Sequence, residues 1–298
     1  MSDSAHGNIL AGKRLMIFGC GYIGRAVALA ALAEGMHVTA LTRNAEKAGS
    51  LRAEGVHEVV LGDLASTNWH AQIAGRADYV LNCVSSGGGG IEGYRHSYQN
   101  GMANLLAWLR SQGGVGAVIY TSSTSVYPQD GGVHVDENAP TGGDERAETL
   151  LAAENLLLTA TYAAETRVVL RLAGIYGPGR HHLMEQVRTG AAAGRGEAHL
   201  NLVYRDDIVA AVRAVWNVAP GAHVFNVADD GAATKAAMVA WLAARLGLPT
   251  PTFTGAPAGG RRTVTPDRII LNTKLKAVTG WRPSCPSFRD GYEKILSL

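Results

Sequence analysis

The sequence predicts an α/β protein built on a Rossmann-type, doubly wound parallel sheet. Apolar runs of strand length alternate with Ala- and Leu-rich helical stretches over the first half of the chain. The first of these runs ends in a glycine-rich turn that opens a helix. Beyond residue 172 the predicted elements become shorter, which indicates a small C-terminal α/β lobe. We therefore expect a larger domain over residues 1–172, to which some later segments return, and a smaller substrate lobe over residues 173–298.

The composition excludes several classes of protein. Of the 298 residues, 47% are hydrophobic and 17% are charged, as in a globular chain. The formal net charge of +2, with both signs interspersed, predicts no nucleic-acid partner and no binding to an anionic membrane. Residues 1–8 lack the apolar core of a signal peptide, and no apolar run is long enough to span a bilayer. The three cysteines show neither metal-ligand spacing nor a disulfide pattern, so we expect a cytoplasmic protein without a metal site.

The strongest signal is the turn after the first strand. An apolar strand at residues 15–18 runs directly into Gly19-X-Gly21-X-X-Gly24. Gly19 permits the tight turn, Gly21 lets the backbone approach a pyrophosphate, and Gly24 lets the helix pack against the strand. The N–H groups at the start of the helix then face the anion. The sequence therefore predicts a dinucleotide site whose contacts here are Gly19, Gly21, Tyr22, Ile23 and Gly24.

The end of the second predicted strand, residues 37–42, decides which dinucleotide we expect. An acidic residue there would bind the ribose 2′-hydroxyl of NAD, whereas an arginine accommodates the 2′-phosphate of NADP. The chain has Arg43 at this position and has no acidic residue before Glu46. Thr42 can add a hydroxyl, so the candidate contacts here are Thr42, Arg43 and Asn44. We therefore predict NADP rather than NAD as the cofactor. The alternative is that Arg43 is an ordinary solvated residue at the start of a helix.

Small or polar residues follow the next three predicted strands, at residues 56–61, 79–84 and 115–122. The carboxyl ends of parallel strands border the ligand crevice of an open α/β sheet, so these residues are expected to contact the cofactor. Asp63 could bond the adenine amino group or could cap the turn that follows it. Ser122 could also simply complete its strand. The candidate contacts are Asp63, Leu64, Cys83, Val84, Ser85 and Ser122.

Six motifs resemble the extended short-chain dehydrogenase/reductases, the nucleotide-sugar epimerase/dehydratase family. They occur in the family's order and span nearly the whole chain: GCGYIG (19–24), GDL (62–64), NGMANLL (100–106), SSTSVYP (122–128), RLAGIYGPGR (171–180) and GWRP (280–283). The resemblance implies a nicotinamide-dependent enzyme that oxidises a hydroxyl group or reduces a carbonyl group. It also places Ser123, four residues before Tyr127, at the family's catalytic Ser/Thr position. Tyr176 would lie at the mouth of the substrate lobe.

The chain departs from this family at the residues that transfer the proton. The family uses a Tyr-X-X-X-Lys pair, in which the lysine lowers the pKa of the tyrosine. Matching LAAE at residues 151–154 to the family's helix puts Arg146 at the tyrosine position and Leu150 at the lysine position. Residues 128–161 contain no tyrosine, and residues 48–234 contain no lysine. In this respect the chain is similar to an atypical branch of the superfamily, the YeeZ-like proteins.

The sequence offers replacements for the missing pair. Tyr127 and Tyr176 lie on loops expected near the nicotinamide, and each could exchange a proton if a cation lowered its pKa. Arg146 could be that cation. Alternatively, both tyrosines are packed rings with hydrogen-bonded hydroxyls. The pair at residues 181–182 could act as acid or base, or could simply open a helix. The candidate catalytic residues are Ser123, Tyr127, Tyr176 and Arg146.

Two functions remain open at this stage. One is an NADP(H)-dependent oxidoreductase or epimerase-like enzyme for a small polar hydroxy or keto substrate, such as a nucleotide sugar; the other is a non-catalytic NADP(H) sensor or regulatory protein. Ser123 favours the enzyme, and the missing Tyr/Lys pair favours the sensor. Arg180, Arg205 and the arginines at 261–262 could bind a substrate phosphate or be solvated. Wide apolar faces on the helices near residues 94–109 and 150–162 predict a homodimer.

Overall fold

The structure, a computed structural model, describes residues 10–73, 75–255 and 266–298. The chain divides into two compact units. Unit 1 comprises the described residues up to Ser123, with Gly143–Leu170 and Val212–Val224; unit 2 comprises Thr124–Gly142, Arg171–Ala211 and the described residues from Phe225 onward. The chain therefore passes from one unit to the other five times. Arg261 and Arg262 lie outside the described residues.

Strands and helices alternate over the first half of the chain. Its elements are β1 (Arg14–Phe18), α1 (Tyr22–Ala33), β2 (His37–Thr42), α2 (Ala45–Ala53), β3 (Glu58–Leu61), β4 (Tyr79–Asn82), α3 (Gly90–Arg95), α4 (Gly101–Ser111), β5 (Val115–Ser123), β6 (Val133–Val135), α5 (Glu145–Thr159) and β7 (Ala164–Leu172). The first five strands agree with the predicted ones to within about two residues at each end.

Shorter elements follow β7. They are β8 (Gly174–Tyr176), α6 (His182–Arg188), β9 (Ala191–Ala192), β10 (His199–Leu200), β11 (Leu202–Tyr204), α7 (Arg205–Ala214), β12 (Gly221–Val227), β13 (Ala233–Thr234), α8 (Lys235–Leu246), β14 (Thr252–Phe253), β15 (Arg268–Ile270), α9 (Thr273–Thr279) and α10 (Phe288–Leu296). Among the helices that the structure describes, none has the length and apolar character needed to cross a membrane.

Seven strands form one sheet in the order β12-β7-β5-β4-β1-β2-β3. The pairings of β1 with β2 and β4, of β2 with β3, and of β4 with β5 are all parallel. The chain begins in the middle of the sheet, extends to one edge through β2 and β3, and then returns to the other side of β1 with β4. The strand order reverses between β1 and β4, and such a reversal leaves a crevice at the carboxyl ends of the strands. The predicted doubly wound sheet is confirmed.

The centre of the sheet is the most deeply buried part of unit 1. All residues of β1 from Leu15 to Phe18 are at most 1% exposed, as expected for a strand covered by helices on both faces. Phe18 packs against Trp69 and Trp108, with ring centroids 5.0 and 5.8 Å apart. This packing holds the carboxyl end of β1 in place, and the glycine-rich turn starts at the next residue.

The long helix predicted from residue 94 is interrupted. It is observed as α3 and α4, which are joined by a π-helical turn at His96–Asn100. A π-turn inserts one extra residue into a helical turn and often occurs at functional sites. Here it lies beside the ends of two strands. His96 contacts Asp63 after β3, and the hydroxyl of Tyr98 accepts a hydrogen bond from the backbone N–H of Ser86 after β4.

Candidate functional site

The turn between β1 and α1 requires two of its three glycines for its own geometry. Gly19 has a φ of +92°, and a Cβ there would lie 2.5 Å from the backbone nitrogen of Val84. A Cβ on Gly24 would lie 2.6 Å from the carbonyl oxygen of Gly19 and 2.9 Å from Sγ of Cys83. Any side chain at Gly19 or Gly24 would therefore displace backbone, so the fold itself accounts for these two glycines.

Gly21 is different. It has a φ of −89°, and a Cβ there would meet no described atom within 4 Å beyond its chain neighbours. The described residues give no reason for a glycine at this position, whereas a pyrophosphate lying against the backbone would. Gly21 is also the N-cap of α1, which carries no side-chain cap. The start of α1 therefore has the helix-dipole polarity that favours an anion.

Arg43 follows β2 and reaches across to the next strand end. Its Nη1 lies 3.5 Å from Oδ2 of Asp63. The neighbouring side chains have local roles instead. Oγ1 of Thr42 accepts a hydrogen bond from the N–H of Asn44, and Oδ1 of Asn44 caps α2 by accepting from the N–H of Lys47 at 2.8 Å. The side chain of Arg43 lines a cavity.

Asp63 combines a capping contact with a charged contact. Its Oδ1 accepts a hydrogen bond from the N–H of Ala65 at 2.9 Å, which closes the turn after β3. Its Oδ2 faces Arg43 and lies 3.2 Å from Nε2 of His96. Burial opposes ionisation, but these partners together hold the pKa of the Asp63 carboxyl below its usual value. Asp63 is therefore a carboxylate at neutral pH, and Leu64 beside it is buried.

The residues after β4 support the glycine turn. The thiol of Cys83 donates a hydrogen bond to the carbonyl oxygen of Gly19 at 3.1 Å, and burial raises its pKa well above the usual value. The N–H of Val84 bonds Oδ1 of Asn82 at 3.2 Å, and Ser85 is exposed. Cys83 is thus a neutral thiol that stabilises the turn, a role that the sequence did not suggest for it.

The end of β5 contains a buried hydroxyl–carboxylate pair. Oγ of Ser122 donates to Oε1 of Glu154 at 2.5 Å, and both residues are buried. Ser122 was predicted as a cofactor contact, but its hydroxyl hydrogen is used by Glu154. Sequence reasoning did not single out Glu154 as functional. The sequence does contain a pattern that indicates it. Glu154 is the one carboxylate on the α5 face that buries Leu150, Ala153 and Leu157, and a carboxylate on an apolar face needs a hydrogen-bond partner.

Arg146 lies in the first turn of α5, close to a pair of tyrosines on α3 and the π-turn. Its Cζ is 5.8 Å from the ring centroid of Tyr94. The rings of Tyr94 and Tyr98 are 4.5 Å apart. Sequence reasoning missed both tyrosines because it sought a replacement only at Tyr127 and beyond. The pattern that indicates them is an aromatic pair four residues apart, directly after a glycine-rich loop.

Tyr127 belongs to unit 2, where its hydroxyl is fully engaged. The hydroxyl accepts from Nη1 of Arg171 at 2.8 Å and donates to Oδ1 of Asn226 at 2.8 Å. Burial raises the pKa of this phenol, although the charge of Arg171 acts in the opposite direction. The cation on Tyr127 is thus Arg171. This is the packed arrangement that the sequence left open as an alternative to catalysis.

Tyr176 is also packed inside unit 2. Its hydroxyl lies 3.4 Å from the carbonyl oxygen of Ser287, and burial together with the nearby carboxyl of Asp229 raises its pKa far above the usual value. Asp229 is itself buried, with Oδ2 unpartnered among the described residues, and burial raises its pKa to about 8. Both phenols considered for proton transfer in unit 2 therefore remain protonated at neutral pH.

The remaining polar candidates of unit 2 have local contacts. Nε of Arg180 donates to the carbonyl of Ile175 at 3.1 Å, and Nε of Arg205 donates to the neighbouring carboxylate at 2.8 Å. Nδ1 of His181 lies 3.2 Å from Glu185, one turn into α6. Within the described ranges no group of three or more His, Cys, Asp or Glu residues could hold a metal ion.

Comparison with known proteins agrees with this geometry. The sequence pattern of the NAD dependent epimerase/dehydratase family matches residues 15–228. The chain belongs to this family. It is therefore an enzyme of the oxidoreductase/epimerase type that depends on a nicotinamide dinucleotide. Family membership favours the enzyme over the regulatory protein that the sequence left open.

Individual relatives extend the comparison. Protein YeeZ of Escherichia coli (strain K12) is 27% identical over 266 residues, which cover 87% of this chain and 93% of YeeZ. The 3-diazoavenalumate denitrifying reductase of a Streptomyces species is 28% identical over 311 residues, covering 93% of this chain and 98% of the reductase. The UDP-glucuronic acid 4-epimerase of Bacillus cereus, solved with UDP-glucuronic acid and NAD, matches with a TM-score of 0.80 at 19% identity and covers 95% of this chain and 99% of its own. At that identity the likeness shows the fold alone. The resemblance to atypical short-chain dehydrogenase/reductases is confirmed.

Proposed function

We propose that the protein is an NADP(H)-dependent oxidoreductase or epimerase that acts on a hydroxyl or carbonyl group of a small polar, nucleotide-sugar-like substrate. The observation that carries this proposal is Gly21, a glycine at the strand reversal that the described residues do not themselves require. When bound, the dinucleotide supplies hydride exchange at its nicotinamide. The chain supplies the start of α1 for the diphosphate and Arg43 for the additional phosphate.

The choice of NADP over NAD rests on Arg43. It follows β2, and its guanidinium contacts the carboxylate of Asp63. The nearby acidic residues belong to other elements, since Glu58 lies on β3 and Glu46 lies on α2. A guanidinium can make two charge-assisted hydrogen bonds to a phosphate. A ribose hydroxyl is neutral and cannot accept such a pair. In dinucleotide-binding folds generally, an arginine near this strand end accommodates the 2′-phosphate of NADP.

Calorimetric titration with NADPH and NADH tests this choice. Wild-type protein is expected to bind NADPH more tightly, and Arg43→Gln should weaken NADPH by about 10- to 100-fold while leaving NADH unchanged, because a charge-assisted hydrogen bond is lost. Arg52→Gln is the matched control, since Arg52 lies on α2 and donates to the carbonyl of Val59. Equal affinity of the wild type for both dinucleotides would contradict the proposal.

For the proton transfer we favour residues of unit 1. Ser123 holds the position implied by the family, and Arg146 holds the tyrosine position with its guanidinium near the ring of Tyr94. Tyr94 is therefore the phenol of unit 1 whose ring contacts the cation at the family's tyrosine position. Tyr127 and Tyr176 stay as alternatives, but both have raised pKa values, so deprotonating either at neutral pH is unfavourable.

A panel of carbonyl compounds with NADPH distinguishes these candidates. Loss of NADPH oxidation in Ser123→Ala and Tyr94→Phe, with activity retained in Tyr127→Phe, supports the assignment to unit 1. The reverse pattern would return catalysis to Tyr127. Cofactor affinity measured in parallel separates a chemical defect from a binding defect.

We also propose a homodimer, formed through α5. Leu105, Leu106 and Leu109 of α4 are buried inside unit 1, whereas Leu151 and Leu158 of α5 keep part of their surface exposed. Apolar side chains on a helix surface favour association with a second copy. Light scattering after size exclusion should give twice the chain mass, and a monomer would contradict this proposal.

The cytoplasmic location stays a prediction.

A further inference from the structure

A cavity of about 600 Å³ opens beside Arg43 in unit 1. Its walls are the side chain of Arg43, the glycine loop after β4, and the face of α3 and the π-turn that carries Glu92, His96 and Asn100. Arg43 and His96 come from different elements, one from the end of β2 and the other from the π-turn. Both are about half exposed, so both can reach a bound molecule.

One carboxylate holds both cationic side chains from the same point. Oδ2 of Asp63 lies 3.5 Å from Nη1 of Arg43 and 3.2 Å from Nε2 of His96. Asp63 itself is not among the residues that line the cavity. It therefore orients the two side chains from behind and leaves their other donors facing the open space. Residues placed in this way by a supporting carboxylate are preorganised for an anionic ligand.

The glycine loop is shaped around Arg43. A Cβ on Gly87 would lie 2.6 Å from Nη2 of Arg43, so a side chain at this position would displace the guanidinium. Gly88, with a φ of +118°, has open space on its Cβ side. The loop therefore permits Arg43 to extend from β2 across to the helix that carries His96.

We propose that His96 is a second residue, beside Arg43, that selects the adenosine 2′-phosphate of NADP(H). This inference rests on the proposed NADP(H) dependence and adds a specificity-determining residue to it. A 2′-phosphate can accept charge-assisted bonds from both side chains, whereas the neutral 2′-hydroxyl of NAD(H) gains little from either. Since Nε2 of His96 faces Asp63, a bond from Nδ1 to the phosphate requires the doubly protonated ring.

The charges around His96 are compatible with this role. Asp63 and Arg43 face it from the sheet, and Glu92 and Arg95 lie on its own helix. The carboxylate of Glu92 would repel a phosphate, but it is paired with Arg95 at 2.5 Å. Arg95 also lies 3.5 Å from Glu145 of α5. Among the residues that line the cavity, Arg43 and His96 are the ones with basic side chains.

Binding of adenosine nucleotides that lack the nicotinamide tests the inference directly. By calorimetry, His96→Gln should weaken 2′,5′-ADP by about 10-fold, as expected for one charge-assisted bond, and leave 5′-AMP unchanged. The matched control is His223→Gln, which removes another histidine of unit 1, one that contacts the carbonyl of Ala219. The double variant with Arg43→Gln should bind 2′,5′-ADP no better than 5′-AMP.

The outcomes separate this inference from the proposed function. If Arg43→Gln weakens NADPH but His96→Gln has no effect on 2′,5′-ADP, the role of His96 is wrong and the NADP(H) dependence stands. Equal weakening of 2′,5′-ADP and 5′-AMP by His96→Gln would also overturn the inference, because it indicates contact with the adenosine rather than the phosphate. If the wild type binds neither NADPH nor NADH, the proposed function itself fails.

Discussion

The glycine turn of unit 1 and the tyrosines of unit 2 were both candidate functional sites in the sequence. They differ in whether neighbouring atoms of the protein account for the residue that each site contains. The hydroxyl of Tyr127 is fully used by Arg171 and Asn226 inside unit 2. The space beside Gly21, in contrast, is not filled by any described atom within 4 Å beyond its chain neighbours. A hydroxyl whose hydrogen bonds are all made within the protein indicates a structural role. A glycine beside empty space indicates a ligand that lies against it.

The same distinction applies within the turn. Gly19 and Gly24 are required by backbone atoms of the protein, and Gly21 is not. Mutations should therefore separate folding from binding at positions only two or three residues apart. Such a separation is the clearest way to test the comparison between structural and ligand-binding residues.

The largest effects are expected in the turn. Gly19→Ala places a Cβ into backbone at a positive φ and should lower the free energy of unfolding by about 3 kcal/mol or more. Gly21→Ala should leave that free energy unchanged and weaken NADPH by about 100-fold, since its Cβ would occupy space needed by the diphosphate. Denaturant unfolding and calorimetric titration measure the two quantities. Normal cofactor affinity in a folded Gly21→Ala protein would break the comparison.

A smaller effect is expected at Asp229, a buried carboxyl of unit 2 with Oδ2 unpartnered among the described residues. Its pKa is about 8 in the folded protein and about 4 in an unfolded chain. Between these values the folded state holds a proton that the unfolded state has released. The free energy of unfolding should therefore fall as pH rises through this window.

Asp229→Asn removes this titration, because an amide stays neutral. Relative to wild type, the variant should gain about 2–4 kcal/mol between pH 5 and pH 8, measured by denaturant unfolding at both pH values. Asp206→Asn, which changes an exposed carboxylate, is the control. Parallel pH profiles for Asp229→Asn and wild type would show that a partner stabilises the Asp229 carboxylate.

The smallest effect is expected at Tyr127. Tyr127→Phe leaves Arg171 and Asn226 without their shared partner and should cost about 1–2 kcal/mol of unfolding free energy, with NADPH affinity unchanged. Tyr162→Phe serves as the control because Tyr162 is exposed. If Tyr127→Phe instead abolished turnover at unchanged stability, Tyr127 would be catalytic, and the distinction drawn between the two regions would be incorrect.

The sequence by itself determined the sheet, the glycine-rich turn and the family. These features depend on local patterns: apolar runs such as residues 15–18, the spacing of three glycines, and one arginine after β2. Backbone conformation and side-chain periodicity are set over a few neighbouring residues, so a reader of the sequence can recognise them. The choice of NADP remains a prediction that Arg43 supports.

The tertiary structure alone decided what surrounds each polar side chain. Tyr127 and Asn226 are separated by 99 positions, and Ser122 and Glu154 by 32. No local pattern encodes such pairs, because burial and hydrogen bonding depend on which distant elements the fold brings together. For the same reason the sequence could name Arg43 but not His96, which reaches Asp63 only through the π-turn between α3 and α4.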